Sequence, residues 1–166
     1  QEQLTNDVYD DLNPKFINSS EEIIFSSNRS NDTLAVVGTP THYKTDIFIF
    51  DVKNRGKVLR RITDTPESNE YQPDAYDEER YTFLSDETGI VNRYVASYDS
   101  TISRIDTTIH YSYFARTYPL SNLPRNILEQ DVVSESGSYG YLMYKDGTYQ
   151  FYKGETSNDQ MFSQGE

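Results

Sequence analysis

The chain has 166 residues, 27 of them acidic and 15 basic, giving a net charge of −12 at pH 7 and a pI near 4.5. No stretch approaches the roughly 20 apolar residues of a membrane-spanning helix, and the lack of cysteine removes disulfide frameworks and thiolate metal sites. The acidic excess argues against nucleic acid or an anionic membrane surface, because phosphates need Lys and Arg to displace their counterions. The N-terminus has no charged-then-apolar leader and starts on Gln1, which reads as a processed or excised piece. A mean hydropathy of −0.78 would suit a disordered chain, but 15 Tyr and 8 Phe fall in short clusters with Ile and Val, as in half-buried strands.

In chain order, strands are expected at Glu22–Ser27 and Asp46–Val52. Another follows at Lys57–Thr63, across the Asn54-Arg55-Gly56 turn. Further strands are expected at Arg80–Ser85, Asn92–Tyr98, Thr107–Ala115, Tyr139–Tyr144 and Thr148–Lys153, the last two joined by Lys145-Asp146-Gly147. The only helical signal is Asn126-Ile127-Leu128-Glu129, one turn at most, just after Pro119 and Pro124. The fold class is therefore all-β.

A repeat organises these strands. Leu4-Thr5-Asn6 recurs as Ile62-Thr63-Asp64 and as Leu120-Ser121-Asn122, 58 residues on each time (62−4 and 120−62). The pairs Asn13-Pro14 and Gln72-Pro73 follow the first two triplets. Acidic turns come next, and then Phe25-Ser26-Ser27-Asn28 and Phe83-Leu84-Ser85-Asp86, again 58 apart. A looser third copy holds Gln130-Asp131-Val132-Val133 and Tyr141-Leu142-Met143-Tyr144. The units are 4–63, 64–121 and 122–155, with 156–166 a polar tail. Each is expected to form one four-stranded antiparallel blade of a β-propeller, since a single sheet cannot bury both faces. The length beyond an ordinary blade repeat falls in Arg29–Thr45 and Asp99–Thr108, read as inserted loops.

The run from Asp11 to Arg29 resembles the TolB-type propeller repeat, whose pattern is Asp-x-x-Pro-x-Phe-Ser-Pro-Asp-Gly-x-x-Ile-x-Phe-x-Ser-Asp-Arg. Tyr71-Gln72-Pro73 with Phe83 to Gly89 is a second match, and Asp46 to Asp51 and Arg61-Ile62-Thr63 fit the third strand and closing Leu-Thr. The Ser-Pro-Asp-Gly turn is replaced by Ser19-Ser20-Glu21-Glu22 and Tyr76-Asp77-Glu78-Glu79, and Arg29 becomes Glu87 in the second unit. The resemblance covers about residues 4–155 and implies a parent with about six blades, of which this chain supplies roughly three. It further implies a periplasmic or outer-membrane-associated bacterial protein, with a protein partner and the remaining blades as its neighbours.

The residues offer no catalytic constellation. His42 and His110 are isolated from each other, and Gly137-Ser138-Tyr139-Gly140 lacks the spacing of a nucleophile elbow. Asp and Glu cluster in turns, where they solvate the bends. Calcium is a lesser expectation, since clustered oxygens suit a hard cation but no segment has EF-hand spacing. No cofactor and no catalytic or metal residue is assigned. Tyr139 to Tyr152 read as packing. The expected function is a non-catalytic protein-interaction scaffold that binds through its inserted loops, with Arg29, His42, Tyr43, Tyr111, Tyr113 and Tyr118 as contact residues. The alternatives are an accessory propeller of a multidomain peptidase, with its catalytic residues outside this chain, and a glycan- or peptidoglycan-binding propeller using exposed Tyr.

Overall fold

The computed structural model describes residues 1–34, 44–105 and 109–161; for 99–105 and 109–114 it describes the main chain alone. The chain is all-β, in three antiparallel sheets that follow one another in sequence. The first contains β1 (Asp11–Ile17), β2 (Glu22–Ser27), β3 (Asp46–Asp51) and β4 (Arg60–Arg61) in that order. The second contains β5 (Glu70–Ala75), β6 (Arg80–Ser85), β7 (Asn92–Ile105) and β8 (Ile109–Pro119). The third contains β9 (Ile127–Val133), β10 (Ser138–Lys145) and β11 (Thr148–Glu155).

Side-chain alternation gives the first two sheets two apolar faces each, and packing buries them. Ile24, Ile47, Ile49 and Ile62 of the first sheet pack on Tyr81, Phe83, Tyr94 and Ala96 of the second. Leu84 of the second packs on Ile127 and Met143 of the third, with Tyr141 and Tyr152 at its margin. The first sheet's other face holds Phe25, Phe48, Phe50 and Leu59 beneath Leu34 and Val52.

The first strands β1, β5 and β9 lie side by side and are tied by polar side chains. Asn13 and Gln72 sit in left-handed backbone (φ 53° and 50°) at bulges in β1 and β5. Asn13 Oδ1 accepts from the Gln72 N–H at 3.4 Å, and Gln72 Oε1 accepts from the Gln130 N–H at 2.8 Å. Gln130 Nε2 donates back to the Gln72 carbonyl at 3.0 Å. Lys15 reaches across to Asp131 (2.7 Å) and Asp74 (3.5 Å).

Four expectations need correction. Asn126–Glu129 is not helical: strand β9 starts at Ile127, whose N–H donates to the Val91 carbonyl while its side chain is buried on Leu84. Lys57–Thr63 keeps only two strand residues; Leu59 instead donates to the Asp32 carbonyl, and Val58 bridges Thr33. Asp99 to Ile105 is a continuation of β7 rather than a loop. Past β11, Thr156–Asn158 forms a 3₁₀ turn, and the Asp159 side chain is buried against Arg93 of the second sheet. Among the described residues the third sheet has three strands where four were expected. No helix among them is long and apolar enough to cross a membrane.

Candidate functional site

Of the contact residues expected from sequence, His42 and Tyr43 lie outside the described residues, and Arg29 lies inside the protein. It is 1% exposed. Its Nη2 makes a two-pronged contact to Asp11 (2.7 and 2.8 Å), its Nη1 reaches Asp7 at 3.3 Å, and its Nε donates to Ser27 Oγ at 3.1 Å. The guanidinium lies 5.2 to 5.9 Å from the ring centres of Tyr9, Phe25 and Phe48. Arg29 therefore braces the first sheet and presents nothing to a partner. The second sheet has Glu87 in that place; its Asn69 main-chain N–H and Nδ2 both donate to Asp86, at 2.7 and 2.8 Å, much as Asp10 and Asn28 are tied in the first sheet at 2.9 and 3.3 Å.

Tyr118 pairs with Val95 in the register of β7 and β8 and packs against the buried cluster of Tyr76, Val95 and Leu120. Tyr111 and Tyr113 belong to a projecting ribbon. Among the described residues, strand β6 pairs with β7 only over Asn92–Ser97, and from Tyr98 to Ile105 β7 has β8 as its only ladder partner. At roughly 3.3 Å per residue, that is an arm of about 25 Å. Tyr113 pairs with Ser100 and Tyr111 with Ile102, two and four residues along β8 from the Tyr98–Ala115 pair at the arm's base.

That base forms one wall of a groove of about 450 Å³, with Tyr98, Ala115 and Thr117 facing Arg60, Arg61 and Ile62. Arg60 lies 5.8 and 5.5 Å from the ring centres of Tyr81 and Tyr98 and donates to Glu22 (3.2 Å) and to the Tyr81 hydroxyl (3.0 Å). Its buried Nε has no hydrogen-bond partner among the described residues. Arg61 is paired with Asp32, Asp46 and Asp64 at 2.8, 3.0 and 3.2 Å. The groove thus offers guanidinium planes, a tyrosine face and threonine hydroxyls. Its carboxylates Asp32 and Asp64 are both ion-paired with Arg61.

The most perturbed carboxyl lies elsewhere. Glu70, at the start of β5, is 2% exposed. Its main-chain N–H donates to the Thr45 carbonyl, Oε1 accepts from Thr65 Oγ1 at 2.7 Å, and Oε2 has no partner among the described residues. Burial pushes its pKa up to about 7; Thr63 and Thr65 pull it down, while Asp46 and Glu87 add to the rise. Glu70 does not line the groove. Among the described residues, no cluster of three or more His, Cys, Asp or Glu could hold a metal ion.

A second buried cation joins the second and third sheets. Arg93, 1% exposed, stacks 3.5 Å from the Tyr139 ring centre and pairs with Asp159 at 3.3 Å. The Tyr76 hydroxyl donates to the Asp159 carboxylate and the Thr156 carbonyl, both at 3.2 Å; burial and Asp159 push its pKa up to about 12. Sequence reasoning missed this cluster, because Arg93 stands in an otherwise strand-like run and Asp159 in a polar stretch. Comparison with models of protein families and with curated proteins finds no match to this chain.

Proposed function

We propose that the chain is a non-catalytic protein-binding scaffold, a segment of a propeller-type array like the TolB-like repeat proteins of the bacterial envelope. The β7–β8 arm is its contact element. The observation that carries this reading is the arm itself: a two-stranded ribbon reaching about 25 Å past β6, on a body whose sheets stack with their first strands together. A two-stranded ribbon is marginal by itself in water, so a long one on a stacked body is suited to being covered. The groove at its foot, ionically satisfied and lined by arginine and tyrosine, favours a peptide surface over a reacting substrate.

Affinity capture from an envelope extract tests it, comparing wild type with Tyr111→Ala/Tyr113→Ala and with Leu12→Ala as a surface control. The scaffold reading expects one saturable partner, lost with the tyrosine pair and kept with the control. Capture indifferent to the arm, or peptidase activity in the purified chain, would refute it.

A further inference from the structure

Each sheet carries one aromatic face and one receiving face. The aromatic face holds a cross-strand pair: Phe25 with Phe48 (ring centres 6.1 Å apart), Phe83 with Tyr94 (6.0 Å) and Tyr141 with Tyr152 (5.1 Å). In the second and third sheets this pair is directed to the preceding sheet. The receiving face takes the following sheet, and strand register aligns its positions across the repeats. Ser26 and Ile47 in the first sheet correspond to Leu84 and Arg93 in the second, and to Leu142 and Phe151 in the third. Ile24 and Ile49 correspond likewise to Thr82 and Val95, and to Gly140 and Lys153.

The eight residues of the first two sheets are all at most 2% exposed. Ile24, Ile47 and Ile49 meet the second sheet; Leu84 and Arg93 meet Ile127, Met143 and Tyr139 of the third. The third sheet breaks the pattern. Phe151 is 83% exposed, and Tyr149 and Tyr144 beside it on that face are exposed too. Contiguous aromatic exposure of this kind marks an interface.

We propose that this face seats a fourth sheet of the same kind, whose second and third strands carry a cross-strand aromatic pair that closes over Leu142 and Phe151. The inference rests on the stacked-array reading above and names the array's next neighbour. The interface continues the two already present in the chain. A second copy is a poor occupant: the matching pair on this chain is Phe25–Phe48, and Arg29, Leu34 and Val52 already close that face.

The chain has no cysteine, so Phe151→Cys gives a single thiol whose modification rate reports cover. The full chain is extended beyond Glu166 with a copy of residues 64–121, which brings Phe83 and Tyr94, or separately with a copy of 122–161, which brings Tyr141 and Tyr152. In the 166-residue chain the thiol is expected to react at the rate of a free thiol. At least one extension should slow it tenfold or more, and replacing both copied aromatics by Ser should restore the fast rate. Amide exchange of β11 should slow tenfold or more in the same extended chain, and Phe151→Asp should remove that protection while changing exchange in the 166-residue chain less than twofold. A fast thiol in both extensions would overturn the proposal. So would self-association of the unextended chain that Phe151→Asp abolishes, since that makes a second copy the occupant. Either failure leaves the scaffold reading intact, because capture at the arm decides that separately.

Discussion

Glu70 gives the sharpest test of how the sheets are joined. Its carboxyl lies between β5, the Thr63–Thr65 segment and the start of β3, with one oxygen unpartnered among the described residues. A carboxyl whose pKa rises from 4.5 to about 7 on folding binds its proton more tightly in the native state. Its contribution to stability is therefore fully present below pH 4.5 and is lost as the pH climbs through 7. At 1.36 kcal/mol per pKa unit, the loss by pH 8 is about 3 kcal/mol. Glu70→Gln keeps an oxygen for Thr65 and cannot ionise. Urea unfolding at pH 5, 6, 7 and 8, followed by tyrosine fluorescence or circular dichroism, should show wild type and variant close together at pH 5. The variant should be the more stable by about 3 kcal/mol at pH 8. Comparing the two chains cancels the titration of every other carboxylate. Parallel stability curves across that range would refute the buried, proton-holding role of Glu70.

Other substitutions test the remaining joints. Arg29→Met strands the buried Asp7 carboxylate and should cost about 3–5 kcal/mol in urea unfolding, as loss of one partner from a buried pair does. Gly154→Ala would put a methyl into the Tyr139 ring, which is already stacked on Arg93, and should lower stability by about 1–3 kcal/mol. Gly56→Ala, whose added carbon meets only the Val58 carbonyl at 3.6 Å, is the control and should leave thermal unfolding unchanged. Asp159→Asn weakens the hold on residues 156–159, so trypsin should cut after Lys153 several times faster than in wild type; equal rates would show that the segment is held by something else.

Much of this architecture was legible because the repeat step of 58 residues carries the same physical jobs. The triplets Ile62-Thr63-Asp64 and Leu120-Ser121-Asn122 show why. Ile62 and Leu120 are buried plugs, and the Thr63 and Ser121 hydroxyls accept the N–H of Ile47 and Arg93 at 2.8 and 2.9 Å. The cross-strand aromatic pairs lie on strands that alternation had already marked. What stayed hidden depended on contacts distant in sequence. Two prolines and the run Asn-Ile-Leu-Glu look like the start of a helix, yet the Val91 carbonyl recruits Ile127 into a strand. The outer part of β7 reads as a loop because Asp99, Ser100, Thr101 and Ser103 have the polarity of one; pairing with β8 rather than burial makes it a strand. Arg29 looked like a surface contact because its carboxylate partners, Asp7 and Asp11, lie 22 and 18 residues upstream.

The row of amides from Asn13 through Gln72 to Gln130 also sets where this chain can tolerate changes of length. The side-chain oxygens of Asn13 and Gln72 each cap an N–H in the next sheet, so the bulges must come together in fixed order. An added or lost residue in β1, β5 or β9 would turn the amide to the opposite face and uncouple two sheets at once. The described connections between later strands carry ties of another kind, such as the paired hydrogen bonds between Thr45 and Glu70. The two long departures from the compact repeat, residues 28–45 and the β7–β8 arm, are both found there. The edge formed by β1, β5 and β9 works as a fixed hinge pin, and the later strands are left to vary.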